Sequence, residues 1–229
     1  MELLALIPAL LIFLFMLYRL VKDDYVFIRK GISLEQAYDI SFITLWVSLF
    51  FSRFFYFVFH FNPSQNIFIQ FFSFKNGQFS LLGAILGGII ALYIFSKQKR
   101  FPLGRISDFF SLSFLYALPV GLLIHALFVS KNELLYLFLN VIIYFVVLLF
   151  FAQFLYPKIL NRTIKEGLLT NLFLLIFSLI TLVTSLLMSL KHIQIFLSLQ
   201  NGVTILLLFL SIFLLLKENV SSSRRLLNK

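Results

Sequence analysis

One cation stands inside a long apolar stretch of this sequence. Arg53 lies in a run rich in Phe, Leu, Val and Ile that spans 39–61. A charged side chain held so deep in apolar surroundings marks a functional position by default. Trp46, Phe50, Tyr56 and His60 are spaced to share its helical face. A guanidinium meets two phosphate oxygens in a bidentate fork, so this face suits a phospholipid head group. The plain alternative is an arginine that snorkels outward or makes a structural pair.

Other polar residues are sparser. His125 follows Pro119 and Gly121 by about one turn, and a proline inside a helix is expected to kink it. An imidazole titrates near neutrality and could accept a proton, or simply hydrogen-bond at an interface. Asp108 follows Ser107 and reads as the start of a helix, where a carboxylate complements the positive end of the dipole. Gly83 with Gly87, and Ala84 with Gly88, are small-xxx-small pairs suited to close helix packing. Asn171, Ser178, Thr181, Ser185 and Ser189 form an uncharged polar stripe that suits hydrogen bonds between helices rather than an ion path. The chain has no cysteine, which excludes disulfides and thiolate chemistry. It has no zinc, phosphate-loop, dinucleotide or hydrolase motif, so neither a metal nor a cofactor is expected.

The elements that position these residues must lie in a bilayer. Of 229 residues, 61% are apolar and 12% charged, whereas soluble domains run near half and a quarter. Lipid can solvate that surface and water cannot. A span takes about 20 apolar residues. Seven runs qualify: 3–21, 39–61, 78–96, 108–129, 134–156, 167–190 and 200–216. The connections are short, so one all-α domain over 1–229 with antiparallel neighbours is expected. The net charge of +10 sits in loops between spans, which points to topology and not to nucleic acid. Fourteen loop or tail Lys and Arg, among them Lys22, Arg29, Lys97, Arg105, Lys158, Arg162 and Arg224, fall on one side. Only Lys75, Lys131 and Lys191 fall on the other. The basic side faces the cytoplasm, which sets the N-terminus outside and the C-terminus inside. The first run lacks a basic flank before it, so it is expected to stay as a span and not be cleaved as a signal peptide.

Three segments carry a resemblance. "GISLEQAYDISFITLWVSLFFSRFFYFVFHFNP", "KNGQFSLLGAILGG" and "ISDFFSLSFLYALPVGLLIHAL" resemble the second to fourth helices of prolipoprotein diacylglyceryl transferase. Seven spans with N-terminus outside is also that family's arrangement. Arg53, Gly77, Gly83, Gly87, Asp108 and Gly121 fit its pattern. Other positions depart from it. Leu82 stands where the family has an important His, and Leu122 and His125 stand where it has an Arg and an Asn. The region around Thr181 lacks the family's sixth-helix Arg. The outer segment near Lys131 is much shorter than the family's.

The resemblance implies a reaction in which a precursor cysteine displaces glycerol phosphate from phosphatidylglycerol. A thiol with pKa near 8.5 needs a base, and the anionic head needs cationic donors. Leu82 and Leu122 supply neither. The reading is therefore a divergent multi-pass protein of a bacterial inner membrane, with transferase chemistry lost or much altered. It is expected to hold anionic phospholipid at Arg53, Tyr56, Gly83, Gly87 and Gly121. Its partners would be phosphatidylglycerol and a prolipoprotein. One alternative is an active transferase rebuilt around His60 or His125. Another is a small transporter component, which the lack of paired intramembrane charges disfavours.

Overall fold

A backbone in lipid must satisfy its own N–H and C=O groups, and the long Leu, Phe and Ile runs of this chain do so as helices. The computed structural model describes residues 2–22, 24–61, 71, 79–128, 131–161, 163–189 and 198–227. The helices are α1 Glu2–Lys22, α2 Tyr25–Arg29, α3 Leu34–Phe59, α4 Leu81–Lys99 and α5 Leu103–Ala126, followed by α6 Lys131–Phe150. A π-helical turn, Phe151–Leu155, joins α6 to α7 Tyr156–Leu160, and α8 Leu168–Ser189 and α9 Leu199–Leu227 complete the chain. No strand occurs among the described residues.

Six of these helices are long and apolar enough to cross a membrane: Leu34–Phe59, Leu81–Lys99, Leu103–Ala126, Leu134–Leu160, Leu168–Leu187 and Leu199–Lys217. The remaining expected run forms α1, of 21 residues. α5 is the central helix. Its Ile106, Phe109, Leu112 and Leu115 are fully buried, and it packs against α1, α6 and α8. α3 packs mainly on α4, and α8 on α9.

Local chemistry sets the ends. Ser33 and Gln36 form a reciprocal capping box that starts α3 a turn earlier than its apolar run. Ser80 caps α4 through the Gly83 amide. α5 begins at Leu103, not at the expected position near Asp108, which corrects the reading of Asp108 as the cap of its own helix. Pro119 lies within α5, which continues through it. Pro157 has no N–H to donate, and the helix enters it through the π-helical turn. Lys75, Lys191, Arg162 and Gly77 lie outside the described residues.

Candidate functional site

Arg53 is 4% exposed although it lies near the end of an apolar helix. Its Nε donates to the Phe71 carbonyl at 2.8 Å, and its guanidinium lies 5.6 Å from the Tyr56 ring centre. Tyr56 stacks on His60, with centroids 4.3 Å apart. His60 Nδ1 is 3.1 Å from the Tyr56 carbonyl, and the ring is exposed. The structure thus gathers Arg53, Tyr56 and His60 at one end of α3. Trp46 and Phe50 project along the same helix but stay 72% and 57% exposed. The face is covered at Arg53, where Phe71 meets the rings of Phe50 and Phe57, and open below it.

Gly83 and Gly87 serve the other side of α3. A Cβ on Gly83 would stand 2.7 Å from the Phe51 carbonyl oxygen, and one on Gly87 would stand 2.6 Å from Phe51 Cβ. At about 100° per residue, Phe51 lies roughly opposite Arg53 around the helix. Absence of a side chain at these two glycines lets α4 approach the α3 backbone. Ser52 and Ser80 tie the same joint. Ser52 Oγ donates to the Ser80 carbonyl at 2.8 Å, and the Ser80 amide donates to the Ser52 carbonyl at 3.1 Å. Leu82, one residue before Gly83, is 2% exposed within the apolar core.

The fourth-span residues are not brought to Arg53 by any described contact. Gly121 faces Ala9 of α1 at an ordinary 3.5 Å for a Cβ. Leu122 is half-buried against the core, and His125 is exposed. Of the polar stripe, Ser178 and Thr181 bond back to carbonyls one turn earlier. Ser185 accepts from Asn201 Nδ2 at 2.6 Å and so joins α8 to α9.

At the other end of the bundle lies a cluster that sequence reasoning missed. Asp24 and Arg105 form an ion pair with side chains almost wholly buried. Arg105 Nε donates to Asp24 Oδ2 at 3.0 Å, and Nη1 donates to the Ile159 carbonyl at 2.8 Å. The guanidinium also lies over the Phe109 ring at 5.1 Å. Asp24 caps α2 through the amides of Val26 and Phe27. Asp108 accepts from the Gly167 amide at 2.7 Å, the Thr170 amide at 2.9 Å and the Thr170 hydroxyl at 3.0 Å. Counted along the chain, Arg105 is one more loop cation. Its available signal was the i, i+3 spacing to Asp108.

No group of three or more His, Asp or Glu that could hold a metal occurs among the described residues. The profile of the prolipoprotein diacylglyceryl transferase family matches residues 3–124, just over half of the chain. A phosphatidylglycerol–prolipoprotein diacylglyceryl transferase of Clostridioides difficile (strain 630) is 30% identical over 93 residues. That alignment covers 41% of this chain and 38% of the relative, so the two match over well under half of either length. No solved structure matches the chain.

Proposed function

The chain belongs to the prolipoprotein diacylglyceryl transferase family, and from that premise we propose that it is a divergent member with transferase turnover lost or greatly reduced. It holds an anionic phospholipid head group, of the phosphatidylglycerol kind, beside Arg53 and Tyr56. It spans a bacterial inner membrane seven times, with α1 as the first span and the Arg105 end in the cytoplasm. Arg53 then sits toward the outer leaflet.

The observation that carries this reading is Leu82. It occupies the place where the resemblance puts a histidine, and it is 2% exposed among apolar neighbours. An isobutyl group takes no proton from a thiol. Leu122, where the resemblance puts an arginine, offers no cation to a departing phosphate. One missing electrostatic donor commonly costs about 100- to 1000-fold in rate. What this chain retains is binding chemistry. Arg53 supplies a guanidinium, Tyr56 a phenol beside it, and the α3–α4 joint keeps their helix end in place.

The test is incubation of the purified protein with phosphatidylglycerol and a peptide bearing a lipobox cysteine. The peptide should stay unmodified. A lipidated product above a no-enzyme control, seen by mass spectrometry, overturns the loss of turnover. His60, stacked on Tyr56, is then the base to replace first.

A further inference from the structure

We propose that Arg105 and Asp108 form a clasp matched to helix dipoles, which docks the 163–167 turn and makes this end of the bundle its fixed end. The two residues are three apart on α5 and face the same way. Arg105 presents a cation to Ile159, in the last turn of α7, with Nη1 2.8 Å from its carbonyl oxygen. Asp108 presents an anion to the first turn of α8, taking the Gly167 and Thr170 amides. A helix carries partial negative charge at its C-terminus and positive charge at its N-terminus, so each charge has the favourable sign. Gly167 has no side chain with which to cap α8, and a carboxylate from another helix takes that role.

Two further features fit docking. A Cβ on Gly104 would stand 2.8 Å from the Glu166 backbone, so only a glycine lets the turn sit this closely on α5. Gly167 itself has a φ of +93°, which aims its amide at Asp108 at little conformational cost. Asp24 neutralises the remaining face of Arg105. The clasp joins the family-matched residues to helices beyond the match.

The absence of native cysteine gives a direct readout. Ser111 Oγ and Thr170 Oγ1 are 3.3 Å apart across the α5–α8 joint. A Ser111→Cys, Thr170→Cys protein, which gives up the Thr170 hydroxyl bond to Asp108 but keeps the Gly167 and Thr170 amide bonds, should form an intramolecular disulfide in membranes with copper phenanthroline. Maleimide-polymer tagging counts the thiols that remain. Arg105→Asp and Asp108→Arg should each lower the yield at least threefold, and the double reversal should stay as low. A double reversal that restores the yield means the two charges act on each other and not on helix ends, which overturns the proposal. Undiminished yield in both single variants also overturns it. For variants that fail to accumulate, Asp108→Asn keeps an acceptor without charge and Asp108→Leu keeps neither. Yields should fall from parent to Asn to Leu, and three equal yields refute the clasp.

Discussion

Arg53 and Arg105 have the same side chain, yet only one was legible from sequence. Arg53 interrupts an apolar run, and facing lipid there would cost about 2.5–3.5 kcal/mol at mid-helix, so a buried place with partners is required. The structure supplies that place: 4% exposure, the Phe71 carbonyl and the Tyr56 ring. Arg105 stands in a basic stretch and pairs with Asp24 across 81 residues of chain, a separation no local pattern reveals. Burial of Arg53 leads to a prediction. A charge-assisted hydrogen bond to phosphate contributes about 1.5–3 kcal/mol, which corresponds to roughly ten- to a hundredfold in retention. Arg53→Gln should lower the anionic phospholipid that co-purifies, and Arg53→Lys should fall between the two, since an ammonium keeps the charge without the fork. Mass spectrometry of bound lipid decides. An unchanged anionic share in Arg53→Gln means the guanidinium serves only its protein contacts.

Among helices, the sequence told which residues permit close approach but not which neighbour approaches. The Gly83–Gly87 spacing marked a packing face. Its partner, the Phe51–Phe55 side of α3, follows only from the three-dimensional joint. Apolar length likewise located the six long apolar helices, while polar caps such as Ser33 with Gln36 and the Asp108 link to α8 set ends that apolar length does not mark. The glycines differ in a way that experiment can rank. On Gly87 a Cβ meets Phe51 Cβ at 2.6 Å, next to a rigid backbone, while on Gly121 it meets Ala9 Cβ at 3.5 Å. Overpacking costs about 1–3 kcal/mol. Gly87→Val should therefore lower the thermal midpoint of the detergent-solubilised protein by several degrees. Gly121→Ala should leave it within about a degree, because a methyl fits there and alanine favours a helix. Equal midpoints for the two variants would place the α3–α4 contact elsewhere.

The whole molecule has two unlike ends. The Arg105 end gathers Asp24, Asp108, the Ile159 carbonyl and the Gly167 and Thr170 amides into mutually satisfied contacts. The Arg53 end carries exposed His60 and His125 and a wide exposed aromatic surface. The basic turns fall on the first of these ends. Lys22, Lys97, Lys99 and Lys158 lie at the ends of α1, α4 and α7 that point there. Read from the sequence alone, fourteen Lys and Arg are expected on this side and three on the other. Lysine and arginine near span ends are retained on the cytoplasmic side during insertion, and the excess sets orientation. The clasp adds a constraint that charge counting lacks, because residues 24, 105, 108, 159 and 167 meet directly and must share one side. Reporter fusions after Lys99 and Lys165 should therefore read cytoplasmic. Fusions after Asn66 and Asn132 should read external, since an odd number of crossings separates each from the clasped end. Cytoplasmic signals at both Lys99 and Asn132 would mean that α5 does not cross, and the seven-span arrangement would then fail; a cytoplasmic signal at Asn132 with an external one at Lys99 would reverse the orientation and move Arg53 away from the outer leaflet.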